Sequence, residues 1–344
     1  MTTEVRPSEA QAEDWTYPCG EWDMRATPGR KGLTLADVDR GSYAPLTDRS
    51  TTATMRQRGS VERPEAPRTG RRWDKKAETW SASIAMLYEE AQARQWSSAT
   101  DIPWDTLEPL PDDLELAMCQ LCTFLTQVEF IAADLPGRWL PYISPDYYEV
   151  QLFLGTQIMD ESRHEDVFRK RALANGGGLM RPGLGSSALL SLQDFTEMTA
   201  LIHLVGEGFV QTMFRMGEMV GQNEAEKKIF RLAAQDESRH VAFGVTHLKY
   251  LIETEPDRRE ELHSYLDRFE PAIALSQGGL TVEGDVSEAL AVLLGGGRAH
   301  FDLGVQKLLA IRKKQVSEYM HRLEVLGMPE RRERMHPTLR QYLV

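Results

Sequence analysis

Two five-residue words repeat letter for letter in this 344-residue chain, Asp160-Glu161-Ser162-Arg163-His164 and Asp236-Glu237-Ser238-Arg239-His240. Each carries a Glu and a His three residues apart, a spacing that turns a carboxylate and an imidazole toward one side of a helix. Upstream of each word stands a further Glu set among apolar residues, Glu129 in Val128-Glu129-Phe130 and Glu207 in Val205-Gly206-Glu207-Gly208-Phe209. Burying such glutamates without a cation is costly. Four helices, two with a Glu-x-x-His pair and two with a single inward Glu, confine the chain to a bundle with a dinuclear metal site at its centre.

The hydrophobic pattern supplies the helices. It predicts a first body helix over 74–96, with Ile84, Leu87, Tyr88 and Ala91 on one side, and a second over 112–134, opened by Asp112 and Asp113 and stopped by Pro136-Gly137. A third runs from Ser144-Pro145-Asp146 to about Asn175, where Gly176-Gly177-Gly178 end it; a fourth runs from Ser191 or Gln193 to near Gly221; and Asn223 caps a fifth reaching about Glu253. Two or three more fill the remainder. No β-alternating run of useful length appears, so the fold class is all-α. Residues 1–72, rich in Pro, Gly, Arg and Thr, read as an extended N-terminal arm, followed by a helical domain over 73–344 with its metal-binding core at about 112–253. The basic stretch Arg56 to Lys76 suits an acidic surface or a solvated tail, and four tryptophans (Trp15, Trp22, Trp73, Trp80) favour docking.

The four glutamates are expected at one depth. Glu207 lies 14 residues before Gly221 and Glu237 lies 14 residues after Asn223, which at about 1.5 Å per residue puts each ~21 Å from their shared turn. Glu129 and Glu161 are 32 residues apart, against 30 for Glu207 and Glu237, and the longer connection at 136–144 absorbs the difference. The expected metal ligands are therefore Glu129, Glu161 and His164 from one helical pair and Glu207, Glu237 and His240 from the other. Oxygen-rich coordination with one nitrogen per ion suits iron or manganese better than a closed zinc site. Asp160 and Asp236 are placed to accept the other ring N–H of the histidines, and Arg163 and Arg239 to hold those aspartates ionised.

Around these ligands the reading leaves alternatives. Gly206 and Gly208 disfavour helix by about 1 kcal/mol each relative to Ala and imply either a local widening beside Glu207 or plain close packing. His203, one turn before Glu207, is either a further ligand, a pocket hydrogen bonder or a satisfied core histidine. Thr126, Phe130, Ala133, Phe209, Val210, Gln211 and Met213 are expected to line a pocket opening beside Glu129 and Glu207, which suggests a mostly apolar substrate. His247 receives no role.

Composition narrows the field. The acidic balance, Lys+Arg 40 against Asp+Glu 52 and net charge -12, argues against nucleic acid as a partner. No run of about 18 apolar residues is evident and the N-terminus lacks the order of a signal peptide, which points to a cytoplasmic protein without a membrane partner. Cys19, Cys119 and Cys122 are too few for a disulfide scaffold; Cys119 and Cys122 read as buried thiols rather than a redox or zinc pair.

The doubled Asp-Glu-x-Arg-His, with a partner Glu upstream of each, resembles the ferritin-like di-iron carboxylate oxygenases, first the catalytic subunits of bacterial multicomponent monooxygenases and then the ribonucleotide reductase small-subunit superfamily. The resemblance spans about residues 112–253. It implies a ferritin-like four-helix core with additional helices, two iron ions (or an Mn/Fe pair), O2 as co-substrate, and electrons from a separate ferredoxin or reductase. The implied activity is oxidation, by hydroxylation, of a small organic molecule. Three departures matter. The gap between Glu161 and Glu207 is only 46 residues, so the pocket-forming elements that the monooxygenases insert there are reduced. Phe168 stands four residues after His164, where radical-generating reductase subunits keep a tyrosine. Ala233 stands where related N-oxygenases place an extra His. Rival expectations are a ferroxidase or iron-storage role and a radical-generating reductase subunit, and an extended arm on a large bundle suggests a homodimer.

Overall fold

The computed structural model describes residues 26–38, 75–144, 147–175, 177–180, 189, 191–278 and 286–343. Among these residues every regular element is a helix, apart from isolated bridge residues at Gly29, Gly32 and Ile143. The helices are α1 (Leu35–Val38), α2 (Lys76–Thr79), α3 (Ile84–Ala93), α4 (Asp112–Trp139), α5 (Tyr148–Ala174), α6 (Phe195–Thr199), α7 (Glu207–Arg215), α8 (Gly217–Val220), α9 (Glu224–Thr254), α10 (Arg258–Gly278), α11 (Val286–Gly295), α12 (Phe301–Val325), α13 (Arg331–Arg334) and α14 (Pro337–Arg340). A π-helical segment, Ala200–Gly206, joins α6 to α7.

Two helical pairs make the core: α4 lies along α5, and α9 lies along the run from α6 to α8. α11 and α12 cover one flank and α10 another. Three apolar clusters surround the centre. One gathers Leu121, Phe168, Phe214, Phe230 and Leu293, a second Leu204, Leu248, Leu266 and Tyr319, and a third Leu87, Leu135, Phe153 and Phe243. A buried ion network ties α4, α5 and α9 together: Arg171 donates from Nε to Glu226 at 2.6 Å and from Nη1 to Glu115 at 2.8 Å.

Several expected boundaries shift. The first body helix is two helices, α2 and α3, ending at Ala93 rather than 96. α4 does not stop at Pro136-Gly137 but runs on to Trp139. Leu135 and Trp139 are both buried. Burial of side chains of this size contributes about 1.5–3 kcal/mol each, comparable with the ~3 kcal/mol that a proline inside a helix costs. α5 opens at Tyr148; Pro145, Asp146 and Gly176 lie outside the described residues. The fourth expected helix begins at Phe195 because the Asp194 carboxylate accepts from the Glu197 N–H at 2.9 Å. Asn223 caps α9 as expected, accepting from Glu226 N–H at 2.9 Å.

Most of the expected arm, including residues 39–74 and the basic positions Arg56 to Arg72, lies outside the described residues. One described piece docks: Leu35 is buried and its N–H donates to Glu89 of α3. Trp80 also docks, edge-on to Tyr250 with centroids 4.9 Å apart.

One sequence expectation needs correction. The helical stretch Asp112–Tyr142 is, by length and composition, apolar enough to cross a membrane, with a mean hydropathy of 1.4 over its best window. In this fold 56% of that window is buried and Glu129 projects from it into the protein centre, so it is the central helix of the bundle.

Candidate metal centre

The four core helices bring Glu129 (α4), Glu161 and His164 (α5), Glu207 (α7) and Glu237 and His240 (α9) to one buried point; none is more than 4% exposed. Their donor atoms form two overlapping groups, Glu129–Glu161–His164–Glu237 and Glu161–Glu207–Glu237–His240, each with its atoms within 4.8 Å of one another. Glu161 and Glu237 belong to both groups. They stand between two positions, with Glu129 and His164 to one side and Glu207 and His240 to the other.

Both imidazoles turn the same edge inward. His164 Nδ1 is 3.1 Å from Glu161, 3.5 Å from Glu129 and 3.5 Å from Glu237. His240 Nδ1 is 2.9 Å from Glu161, 3.5 Å from Glu237 and 3.7 Å from Glu207. The outward nitrogens cross to the opposite pair: His164 Nε2 is 3.2 Å from Asp236 Oδ2, and His240 Nε2 is 3.3 Å from Asp160 Oδ2. Arg239 donates to Asp160 at 2.8 Å and to Asp236 at 2.6 Å. Arg163 pairs with Asp160 and, at 3.3 Å, with Asp236. Each aspartate thus meets both arginines and the histidine of the other word. Such carboxylate–histidine contacts fix the ring so that its free nitrogen faces a cation.

The donor set fits a pair of cations. Glu129 Oε1, Glu161 Oε1, Glu207 Oε2, both Glu237 oxygens and His240 Nδ1 are buried without a hydrogen-bond partner. His240 Nδ1 comes within 2.9 Å of Glu161 Oε1 yet is not aligned to bond it; the atoms converge on shared space rather than on each other. Unpaired buried carboxylate oxygens are among the costliest groups a fold can hold. The cluster is suited to a dinuclear metal site.

Electrostatics point the same way. Burial, then the neighbouring carboxylates, raises the Glu129 and Glu207 carboxyls well above the usual range. Burial would also raise Glu161, but His240 and His164 outweigh it and hold Glu161 well below that range. Burial opposes charging of His164 and His240, and the carboxylates around them prevail, raising both well above an ordinary imidazole. Metal-free, the cluster keeps protons where cations would sit.

The segment before Glu207 shows both features that the two glycines left open. Residues Ala200–Gly206 are π-helical, a widening that ends at Glu207. At Gly208 close packing rules, since an added Cβ would lie 2.4 Å from the Arg322 guanidinium. His203 does not join the cluster: its Nε2 is 3.0 Å from Gln157 Oε1. Burial holds its imidazole well below the ordinary value. His247 binds the Trp80 carbonyl at 2.8 Å, and burial lowers it to about 4.

The expected pocket is not assembled. Phe130 is 54% exposed and, with Ala133, lines an open groove on the outer face of α4 and α5. Thr126 donates to the Cys122 carbonyl at 2.8 Å and Gln211 to Ser238 at 2.8 Å. Phe209 packs on Tyr319, while Val210 and Met213 pack in the cluster around Phe214. Residues adjacent in sequence to an inward Glu point away from it on a helix, which sends Phe130 outward.

Two site residues escaped the sequence reading. Trp96 Nε1 donates to Asp236 Oδ2 at 2.7 Å, and no spacing links position 96 to 236. Gln157 Nε2 donates to Glu207 Oε1 at 2.8 Å; here a signal existed, since Gln157 precedes Glu161 by four residues as His203 precedes Glu207.

No protein-family profile matches the chain, and no curated protein matches it in sequence. Solved structures do match in fold. An R2-like ligand-binding oxidase with aerobically reconstituted metal cofactor after photoconversion superposes with a TM-score of 0.56 at 15% identity, covering 71% of this chain and 93% of its own. A variant of an R2-like ligand-binding oxidase with aerobically reconstituted Mn/Fe cofactor superposes with a TM-score of 0.56 at 15% identity, covering 72% and 95%. Another, anaerobically reconstituted with Mn/Fe, gives 0.52 at 15% identity, covering 72% and 92%. The all-α, ferritin-like bundle expected from the sequence is the fold observed.

Proposed function

We propose that this chain is a dinuclear-metal oxidase or oxygenase that uses O2 to oxidise an organic molecule. The observation that carries the reading is the buried convergence of four carboxylates and two imidazoles, six of whose atoms have no hydrogen-bond partner. Glu129 and His164 would hold one ion, Glu207 and His240 the other, with Glu161 and Glu237 between them; Asp160, Asp236, Arg163 and Arg239 would set the imidazoles. The neighbours of like fold carry Mn/Fe cofactors, which supports Fe/Fe or Mn/Fe here. Such a pair, when bound, supplies the redox chemistry that reduces O2.

The protein's own contribution is shape, charge and dryness. Phe214 and Phe153 lie edge-on to His164 and His240, with centroids 6.4 and 6.5 Å apart. This apolar wall excludes water and favours a small, mostly apolar substrate. The finer reading is hydroxylation, in which R–H, O2, two electrons and two protons give R–OH and water. The electrons would come from a ferredoxin or reductase partner. A cytoplasmic setting agrees with the buried thiols of Cys119 and Cys122. A radical-generating role fits less well because Phe168 is buried between Phe214 and Phe230, with no phenol at that position.

The test is to load the metal-free chain anaerobically with Fe(II), admit O2, and follow O2 uptake and 18O incorporation while small apolar compounds are screened. Two ions per chain and labelled product support the proposal. Iron accumulating beyond two as mineral would replace it with iron handling, and a lasting radical signal with a reductase-subunit role.

A further inference from the structure

The two halves of the cluster carry the same ligands and differ one turn away from them. Four residues before Glu161 stands Gln157, and four before Glu237 stands Ala233; four before Glu207 stands His203, and four before Glu129 stands Leu125. All four positions are buried. The repeat that doubles the ligands therefore breaks here into a polar couple, Gln157 with His203, and an apolar one, Leu125 with Ala233, which share one hydrophobic cluster.

The polar couple has a definite direction. Gln157 Nε2 is 2.8 Å from Glu207 Oε1, and Gln157 Oε1 is 3.0 Å from His203 Nε2. Glu207 Oε1 accepts here, whether as a carboxylate oxygen or as the carbonyl oxygen of a carboxyl whose proton sits on the unpartnered Oε2, so the amide presents its NH2 to Glu207 and its carbonyl to His203, which then donates from Nε2. His203 is itself seated against α9, where a Cβ at Gly244 would lie 2.3 Å from His203 Cβ. Packing seats His203, His203 holds Gln157, and Gln157 holds Glu207 by Oε1, the oxygen 3.7 Å from His240 Nδ1, while Oε2 stays buried and unpartnered. Glu129 has no such support. Its ion-pair contact is His164 at 3.5 Å, a member of the cluster itself, and its Oε1 has no partner.

We infer that Gln157, oriented by His203, is a positioning residue that sets Glu207 before any cation arrives, so that divalent cations enter in order, the Glu207–His240 position first and the Glu129–His164 position second. The inference rests on the dinuclear-centre reading. A ligand already held in its bound orientation loses less freedom on binding, and hydrogen-bond partners of ligands carry about 10- to 100-fold in metal affinity.

The metal-free full-length chain is titrated anaerobically with Co(II), followed by visible absorption and calorimetry. Two steps of one ion each are expected; Glu207→Gln removes the tighter and Glu129→Gln the weaker. Gln157→Leu is expected to weaken the tighter step by about 10- to 100-fold and the other by no more than about twofold. Should that chain fail to fold, Gln157→Met and His203→Phe read the same difference. Equal weakening of both steps, or of neither, with two ions still bound overturns the ordering alone. Fewer than two Co(II) in the unaltered chain overturns the dinuclear-centre reading with it.

Discussion

His164 on α5 reaches Asp236 on α9, with Nε2 3.2 Å from Oδ2. The contact crosses between the helical pairs, and His240 answers it with Asp160 at 3.3 Å. Each pentad therefore places its imidazole in one half of the cluster and its aspartate behind the imidazole of the other. Neither half of the centre is complete without the other pair of helices.

Asp236→Asn tests that crossing. The substitution keeps the shape and removes a charge shared by His164, Arg163, Arg239 and Trp96. Metal affinity is expected to fall by about 10- to 100-fold, and metal-free stability by about 1–3 kcal/mol. Co(II) titration and denaturant unfolding measure the two effects. Parental affinity in the variant would show that the imidazole does not depend on this partner.

Stability of the metal-free chain is expected to fall as pH rises above about 6.5. His164 and His240 are raised above 6.5, and Glu129 and Glu207 above 4.5. A raised group stabilises fully below its unfolded value and loses that contribution as pH climbs through its folded value. Glu161 and Asp236 are lowered, so their contribution is lost at the acid end instead, as pH drops below 4.5 and 3.8. Below about pH 6.5 His203 and His247, held low, work in the opposite sense, because the unfolded chain takes up protons there that the folded chain does not; above it the raised groups govern, at ~1.4 kcal/mol per pH unit for each extra proton the folded chain holds. Cations replace those protons, so Co(II)-loaded protein should lack the decline. Melting temperatures from pH 5 to 8.5 decide it; a metal-free Tm that rises from pH 6.5 to 8 contradicts the cluster's charge arrangement.

Gly208→Ala and Gly244→Ala are expected to destabilise although alanine is the better helix former. The new Cβ would lie 2.4 Å from the Arg322 guanidinium in one case and 2.3 Å from His203 Cβ in the other. Overpacking of this kind costs about 1–3 kcal/mol. The effect at Gly244 should be the harder to relieve, because a Cβ cannot swing aside as a guanidinium can. Chemical denaturation of each variant gives the numbers, and a stability gain at Gly244 would show that α9 and the π segment are free to part.

Phe168→Tyr places a hydroxyl in the core around Phe214 and Phe230, beside a small cavity that Phe168 lines with Arg171 and Glu226. A loss of about 1–3 kcal/mol is expected, from overpacking and from competition with the Arg171–Glu226 pair. Electron paramagnetic resonance after iron and O2 treatment then asks whether a phenol there is oxidised. A lasting radical in the variant and none in the parent would trace its absence in the parent to this one side chain.

The doubled pentads and the two glutamates in apolar settings were legible because a ligand's identity and its helical phase are both local properties. The same logic reached His203 but stopped short of Gln157, whose spacing from Glu161 is identical. The substrate pocket failed for a physical reason. Phe130 and Val210 are close to ligands in sequence, but helical geometry turns them to other faces, and only packing against α10, α11 and α12 decides which faces are covered. Pro136 misled in the same way, since the burial of Leu135 and Trp139 is invisible from the proline's own propensity.

Sequence by itself determined an all-α bundle, six inward metal-binding candidates and the four charged residues behind them, because periodicity and spacing are intrinsic to the helix. Tertiary structure alone decided that each aspartate serves the other word's histidine, that Trp96 meets Asp236, and that Gln157 grips Glu207. Those contacts join residues 50 to 140 positions apart, and no helical period fixes how one rod is rotated against another; that is set by how the side chains pack.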